Sequence, residues 1–296
     1  MRGDPMLLIF GLGYTATRLA AAWPEATIGT TRDGRGDTLR FDDAPAVRTA
    51  LASASHVLSS IPPDGDHDPV LTRYSDALAG KWLGYLSSTG VYGNANGAWV
   101  DETAPTGTGR RTARAAADAA WLARGAHVFR LPGIYGPGRS PLERVAQGRA
   151  HRVGLSDQVF SRIHVDDIVA GVLAARHGPS GAYNFADDHP CSQDEVVTFT
   201  AGLLGLAPPP VVALETLSPM ARGFYAENRR VANGKAKRLL GWRPAYTDYR
   251  LGLRALNAMT SPTPASPAPA AASGDQRYPS NKVDSSIAIT GTITLE

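Results

Sequence analysis

Cysteine is almost missing from this sequence, which has 296 residues and the single cysteine Cys191. One thiol excludes a framework of internal disulfides and suits a reducing compartment, so we expect a cytoplasmic protein. Long apolar runs are also missing, because no stretch is long enough to span a bilayer and no charged-then-apolar leader is found. We therefore expect no membrane partner.

A large excess of charge of one sign is also missing, since 30 basic and 27 acidic residues give a net charge of only +3. The arginines are scattered, and no basic stripe with interleaved aromatic residues indicates a nucleic-acid partner. His164, Asp166 and Asp167 form a local group whose spacing falls short of a metal-ligand pattern. We therefore predict no nucleic-acid partner and no metal site.

The most informative segment lies near the start of the chain. Apolar residues 6–10 precede the sequence Gly-Leu-Gly-Tyr-Thr-Ala at 11–16, and an alanine-rich stretch follows. This order predicts a buried strand, a tight turn and a helix. In a dinucleotide-binding fold the glycines let the backbone approach a pyrophosphate, and the helix N-terminus supplies free N–H groups and a positive dipole. The segment therefore predicts nucleotide binding.

Strands and helices are predicted to alternate along the next part of the chain. A helix is expected over 111–124, and five more strands over 26–31, 38–41, 57–61, 82–87 and 127–131. Such alternation is typical of an α/β fold, and we predict a Rossmann-type doubly wound parallel sheet with a smaller C-terminal substrate lobe.

Composition divides the chain into three predicted regions. Residues 1–140 are expected to form mainly the dinucleotide-binding domain, and residues 141–258 mainly the substrate lobe, with elements that return to the first domain. Residues 259–296 are rich in Pro, Ala and Ser and have few large apolar side chains. Such a composition cannot offset the entropy lost on ordering, so we predict a disordered tail.

The end of the second predicted strand indicates which nicotinamide cofactor is preferred. NAD sites usually place an acidic residue there, whereas this chain has Arg32, with Arg35 close behind. A guanidinium pairs with the oxygens of a 2′-phosphate. Asp33 follows Arg32 and weakens the inference, and a loop charge without a ligand remains the alternative. We predict that NADP is preferred over NAD.

Four motifs together resemble those of a known family: LSSTGVYG at 86–93, DETAP at 101–105, FRLPGIYGPGR at 129–139 and RIHVDDI at 162–168. The set is similar to the extended short-chain dehydrogenase/reductase family, the NAD-dependent epimerase/dehydratase group, and especially to its atypical bacterial members. The resemblance covers residues 6 to about 257. It implies a small-molecule substrate and predicts the following cofactor-binding residues: Gly11, Gly13, Tyr14, Thr15, Ala16, Arg32, Asp42, Ser60 and Pro132.

The chain departs from this family at the catalytic helix. The family uses Tyr-x-x-x-Lys, in which the lysine lowers the pKa of the tyrosine that exchanges the proton. Here the matching positions are Arg110 and Arg114, while Ser88 stands at the family's Ser/Thr position. An arginine is a poor proton donor because its pKa stays above about 12. Tyr92 and Tyr135 are alternative donors, although both are more typical of packing positions.

The candidate catalytic residues are therefore Ser88, Tyr92, Arg110 and Arg114. Three functions remain open. The chain is either an NAD(P)-dependent oxidoreductase or epimerase acting on a small carbonyl or hydroxyl compound, a catalytically silent NADP(H)-binding sensor or scaffold, or an interaction protein without a cofactor. The glycine turn and Arg32 favour the first two. The resemblance also implies a homodimer, which the alanine-rich helix over 111–124 suits.

Overall fold

The computed structural model of the protein describes residues 6–155 and 157–260. Eleven strands occur in these residues: β1 (Met6–Phe10), β2 (Ala26–Thr31), β3 (Leu39–Arg40), β4 (His56–Ser59), β5 (Trp82–Ser88), β6 (Trp99–Val100), β7 (His127–Leu131), β8 (Gly133–Tyr135), β9 (Arg162–His164), β10 (Gly181–Asn184) and β11 (Arg230–Val231).

Ten α-helices accompany these strands in the described ranges. They are α1 (Tyr14–Ala22), α2 (Ala44–Ser53), α3 (Pro69–Tyr74), α4 (Thr112–Leu122), α5 (Pro141–Ala146), α6 (Val165–Ala175), α7 (Gln193–Leu203), α8 (Pro219–Tyr225), α9 (Gly234–Leu239) and α10 (Tyr249–Thr260). None of the helices in this part of the chain combines the length and the hydrophobicity that a membrane span needs.

Seven of the strands form one parallel sheet in the order β10-β7-β5-β4-β1-β2-β3. The prediction of a Rossmann-type doubly wound sheet is confirmed. Strand β1 pairs with β2 on one side and with β4 on the other, so the direction in which strands are added to the sheet reverses at β1. In open α/β sheets this reversal leaves a crevice at the carboxyl ends of the strands, where ligands bind.

The core lies on both faces of this sheet. Side chains alternate along β1, so Leu7 and Ile9 pack against α1 and α6, whereas Leu8 and Phe10 pack against α2 and α3. All four side chains are fully buried. The near-continuous apolar sequence of β1 is thus explained by helices on both of its faces.

The strand predictions over 26–31 and 127–131 match β2 and β7 residue for residue. The prediction over 57–61 is displaced, since β4 begins at His56 and ends at Ser59. The seventh strand of the central sheet is β10, which was not predicted from the sequence. It has only four residues and begins with glycine, and it is held as a strand by parallel pairing with β7 at the edge of the sheet.

The second half of the chain contributes both to the sheet and to a set of elements beyond its carboxyl edge. Two short parallel pairs, β6 with β11 and β8 with β9, lie outside the central sheet. Helix α10 continues to Thr260, so the first two residues of the predicted tail are helical. The rest of that predicted tail lies outside the described residues.

Candidate functional site

The turn between β1 and α1 has the geometry of a dinucleotide cradle. Gly11 has a φ of +84°, a conformation open to glycine and costly for other residues. A Cβ at Gly11 would also lie 2.8 Å from Ile61 Cγ1, whereas a Cβ at Gly13 would meet no atom within 4 Å. Gly13 therefore borders open space. No side chain caps α1 and no acidic residue lies in its first turn, so its N-terminus is free for an anion.

The side chains of Tyr14, Thr15 and Ala16, also predicted to bind the cofactor, are buried or contact another loop. The side chains of Thr15 and Ala16 are buried in the protein interior, so only their backbone faces the turn. The Tyr14 hydroxyl and Arg18 both donate hydrogen bonds to the carbonyl of Pro137, each at 3.1 Å. Helix α1 is thereby tied to the loop that follows β8.

Arg32 follows β2 at the carboxyl edge of the sheet. Its side chain is exposed and, among the described residues, has no hydrogen bond or ion pair. Arg35, in contrast, pairs with Asp33 at 3.5 Å. Arg32 is therefore the cation after β2 that is not committed to a neighbouring carboxylate.

Ser60 and Asp42 were also predicted to bind the cofactor, but the side chains of both form hydrogen bonds within the protein. The Ser60 hydroxyl donates a hydrogen bond to the carbonyl of Gly11 and so joins the end of β4 to the glycine turn. Asp42 accepts two hydrogen bonds from Arg40, both at 3.1 Å. These bonds lower the pKa of Asp42, which lies after the edge strand β3. The structure thus brings Ser60, but not Asp42, next to Gly11.

A cavity of about 950 Å³ opens beyond the carboxyl ends of β5 and β7. Ser88 at the end of β5 and Pro132 after β7 both line it, together with Arg110 and Arg114. Its other walls come from α5, α7, α8 and α10, which bring apolar residues such as Val196 and Leu253. Three of the four candidate catalytic residues therefore meet in one space.

Ser88 begins a 3₁₀ turn, Thr89–Tyr92, in which its hydroxyl oxygen accepts a hydrogen bond from the N–H of Gly90 at 3.1 Å. A Cβ on Gly90 would lie 2.5 Å from Cδ and 3.1 Å from Nε of Arg111, and 3.3 Å from the Ser88 hydroxyl oxygen. Glycine at position 90 thus lets the Arg111 side chain lie against the turn, beside Ser88.

Arg110 and Arg114 occupy the wall of the cavity near the start of α4. Arg114 donates to the Tyr85 hydroxyl at 3.0 Å and to the carbonyl of Leu86 at 3.4 Å. The Arg110 guanidinium lies 3.6 Å from Glu227 and 4.9 Å from the centre of the Phe224 ring. Both guanidinium groups supply positive charge and N–H donors to this wall of the cavity.

Tyr92 lies apart from the cavity in a buried polar network. Its hydroxyl donates to Asn184 at 2.7 Å and accepts from Arg130 at 2.9 Å. Burial raises the pKa of Tyr92 to about 12. Arg130 in turn pairs with Asp118 at 2.7 Å. The structure does not bring Tyr92 together with Ser88, Arg110 and Arg114 in the cavity, and its hydroxyl is already committed.

Tyr135 lines the cavity but directs its hydroxyl elsewhere. The hydroxyl packs against Gly252 of α10, where a Cβ would overlap it. It is buried without a hydrogen-bond partner among the described residues, and burial raises the pKa of Tyr135 well above its usual value. The Gly252 backbone therefore fixes this tyrosine in a packing position.

In the group around His164, the side chains of His164 and Asp167 accept hydrogen bonds from backbone N–H groups. His164 caps α6 by accepting the N–H of Asp166 at 3.2 Å, and Asp167 accepts the N–H groups of Ala245 and Tyr246 at 2.6 and 3.1 Å. These contacts fix the start of α6 and the segment before α10.

Another group, His189, Cys191 and Glu195, has ligand atoms within 4.8 Å of one another. Glu195, however, forms a capping box with Ser192. Arg162 donates to the Cys191 sulfur at 3.2 Å, and burial raises the pKa of this thiol to about 11. A protonated thiol beside a guanidinium disfavours a cation, so this cluster does not have the chemistry of a metal centre.

The sequence did not indicate most of the cavity's charge. Arg111, Arg144, Arg162 and Arg229 line the cavity, and so does Glu227, which is only 9% exposed. Their positions in the sequence span more than a hundred residues, so no local pattern links them. The one available local signal was the pair Arg110-Arg111 beside the alanine-rich helix.

No protein-family model matches the chain. Among solved structures, a functionally unknown conserved protein from Silicibacter pomeroyi is 41% identical, with a TM-score of 0.76 over 86% of this chain and 99% of that protein. The chain belongs to the family of this Silicibacter protein.

More distant structures show the fold of that family. UDP-N-acetylglucosamine 4-epimerase from Bacillus cereus is 13% identical, with a TM-score of 0.70 over 86% of this chain and 99% of the epimerase. MoeE5, solved in complex with UDP-glucose and NAD, is 22% identical, with a TM-score of 0.67 over 86% of this chain and 98% of MoeE5. These structures share the fold that the resemblance to the extended short-chain dehydrogenase/reductases implies.

Two curated relatives match part of the chain. A 3-diazoavenalumate denitrifying reductase from a Streptomyces species is 32% identical over 138 residues, which are 43% of this chain and 45% of the reductase. Protein YeeZ from Escherichia coli is 31% identical over 137 residues, 42% of this chain and 47% of YeeZ. The chain thus matches slightly less than half the length of each relative.

Proposed function

We propose that this protein is an NAD(P)-dependent oxidoreductase or epimerase that acts on a small carbonyl or hydroxyl compound. The observation that carries the proposal is the 950 Å³ cavity, which opens at Ser88 and Pro132 beyond the sheet that bears the glycine turn. Ser88, Arg110 and Arg114 line this cavity together with Pro132, so a substrate bound there would lie next to the residue that we predict to contact the cofactor. The reductase among the relatives supports the same class of chemistry.

The residues of the glycine turn fit a dinucleotide. Gly11 adopts the conformation that the turn requires, and Gly13 leaves open the space that a pyrophosphate would occupy. When bound, the nicotinamide would donate or accept a hydride. We propose that Arg32 binds the 2′-phosphate of NADP, because its guanidinium is exposed and uncommitted within the described residues.

We propose electrostatic roles for the arginines at the family's tyrosine and lysine positions. Arg114 is held by the Tyr85 hydroxyl and Arg110 by Glu227, so both charges are fixed before a substrate binds. Fixed charges of this kind stabilise negative charge that develops on a substrate oxygen. Ser88 supplies a hydroxyl at the same wall. Tyr92 is not assigned a role in proton transfer, because its hydroxyl is held in the buried network.

A catalytically silent NADP(H)-binding protein is the second candidate function. It is favoured by Arg110, which occupies the position of the family's proton donor and is paired with Glu227. Oxidation of NADPH in the presence of a panel of carbonyl compounds separates the two functions. Turnover of any compound supports the enzyme, and binding without turnover across the panel supports the silent protein.

The cofactor assignment is tested by titrating the protein with NADPH and NADH and following the cofactor fluorescence. We expect tighter binding of NADPH. Arg32→Asp should weaken NADPH binding by roughly 10- to 100-fold, the equivalent of one lost charge-assisted contact of about 1.5–3 kcal/mol. Arg35→Gln is the matched control, because Arg35 is already paired with Asp33. An unchanged preference in Arg32→Asp would contradict the assignment.

We also propose a homodimer and a cytoplasmic location. Ala116 and Ala119 are exposed on the outer face of α4, where small side chains allow two helices to approach closely. Sedimentation of the protein at several concentrations tests the dimer, and Ala116→Glu should shift it to the monomer.

A further inference from the structure

The cavity wall has a large excess of positive charge. Glu227 is the one carboxylate among its lining residues in the described ranges, against seven arginines: Arg110, Arg111, Arg114, Arg139, Arg144, Arg162 and Arg229. Glu227 pairs with Arg229 at 3.0 Å and lies 3.6 Å from Arg110. The remaining arginines of the wall have no carboxylate partner within 4 Å in the part of the chain that the structure describes.

The excess is densest where α4 begins. Arg110 and Arg111 directly precede α4 and Arg114 lies in its first turn, and no acidic residue lies in that turn. The Arg111 side chain is half-buried and makes no hydrogen bond or ion pair with the described residues. Burial and the neighbouring charges of Arg110 and Arg114 lower the pKa of Arg111. Like charges held together in this way are unfavourable unless an anion compensates them.

The position of Arg111 is specific. Its side chain lies against Gly90, next to the Ser88 hydroxyl, and any larger residue at position 90 would displace it. The guanidinium is therefore held at the wall that contains Ser88 rather than extended into solvent. A planar guanidinium in such a place matches the oxygens of a carboxylate or a phosphate.

The rest of the cavity is less polar. Val159, Phe160, Val196 and Leu253 also line the cavity and contribute apolar surface. A ligand that fits both surfaces has an acidic group at one end and a carbon framework at the other.

We propose that the substrate is an acid, and that Arg111, with Arg114, binds its carboxylate or phosphate group beside Ser88. This inference rests on the proposed function, since it names the substrate class of the same cavity. An anionic group at this place brings the carbon that carries it to the wall where Ser88, Arg110 and Arg114 meet.

The test uses malonate as a carboxylate probe and inorganic phosphate as a phosphate probe. The Tm of the full chain is measured with saturating NADPH, which occupies the glycine turn, and sodium chloride of equal ionic strength is the reference. We expect a saturable rise in Tm with at least one probe. The probe with the lower Kd identifies carboxylate or phosphate as the preferred group.

Arg111→Gln should weaken binding of the preferred probe by about tenfold or more, as expected for one lost charge-assisted contact. Arg111→Lys keeps the charge but loses the planar fork, and should give an intermediate loss, so it replaces Arg111→Gln if that variant does not fold. Arg124→Gln is the matched control, because Arg124 is exposed just after the same helix and its side chain hydrogen-bonds only the Ala120 carbonyl among the described residues, at 3.2 Å.

The inference is overturned if neither probe raises Tm above the chloride reference, or if Arg111→Gln and Arg124→Gln lose the effect equally. NADPH binding is measured separately by fluorescence. Bound NADPH without an anion effect refutes the acidic substrate and leaves the proposed function standing. Arg111-dependent anion binding in a protein that binds no NADPH supports the anion site and refutes the proposed function.

Discussion

Replacing Asp118 by asparagine should strongly destabilise the protein. Asp118 is 1% exposed and accepts hydrogen bonds from the Ser87 hydroxyl at 2.7 Å and from Nε and Nη2 of Arg130 at 3.0 and 2.7 Å. These bonds join β5, α4 and β7 directly behind the cavity. Burial alone would lower the pKa of Arg130, but the hydrogen bonds and charge interactions with Asp118 and Tyr92 together more than offset this, so its pKa is raised.

The expected magnitude follows from the buried charge. Asparagine keeps one acceptor oxygen but turns an N–H₂ donor toward donors of Arg130 or Ser87, and it leaves the guanidinium without a counter-charge. Breaking a buried ion pair by removing one partner costs about 3–5 kcal/mol. For a domain of this size, roughly 2–4 °C are lost per kcal/mol, so Tm should fall by roughly 6–20 °C.

Urea unfolding measures this loss as a change in the free energy of unfolding. Ser87→Ala is the control for a single neutral donor and should cost about 1 kcal/mol. The charge-free double variant Asp118→Leu/Arg130→Met should recover much of the lost stability, because it leaves no buried charge behind. If Asp118→Asn costs no more than Ser87→Ala, the reasoning on the buried pair is refuted.

Two further predictions concern the glycine turn and a buried carboxyl group. Gly13→Ala should leave Tm unchanged but weaken NADPH binding about tenfold or more, because its Cβ would enter the open space that we assign to the pyrophosphate. Gly11→Ala should lower both the Tm and the affinity for NADPH, since the φ of Gly11 is +84°. Equal NADPH affinity of Gly13→Ala and the native protein would contradict the assignment. Burial raises the pKa of Asp187 from 3.8 to about 8. The folded protein then keeps a proton that the unfolded chain releases, so stability should fall as pH rises from about 4 to about 8. Asp187→Asn should remove this pH dependence of stability and should stabilise the protein by about 1–3 kcal/mol near pH 9. The measurement is Tm as a function of pH, and a native protein whose Tm does not change with pH would contradict the raised pKa of Asp187.

Much of the fold could be predicted from the sequence because its signals are local. The apolar run before Gly11 and the residues after it indicated β1, the turn and α1, and the strands over 26–31 and 127–131 were predicted with their observed bounds. The strand over 181–184 was missed because its four residues pair only through β7, which lies some fifty residues earlier. Local propensity gives little warning of such an edge strand.

The candidate site was only partly predictable, for the same reason. Ser88, Arg110 and Arg114 were identified by motif position, and they do meet in the cavity. Tyr92 follows Ser88 by four residues, yet the 3₁₀ turn between them carries its hydroxyl into the buried network. The sequence spacing alone did not reveal that direction.

The sequence by itself determined the parallel α/β architecture and the glycine turn, because each depends on residues that are neighbours along the chain. Only the tertiary structure decided which side chains share the cavity and which hydroxyls are already committed. Arg110 meets Glu227 across 117 positions of sequence, and Arg111 reaches Ser88 only because Gly90 leaves room for it. Such contacts depend on how separate elements pack, and packing is set by the whole chain rather than by any one segment.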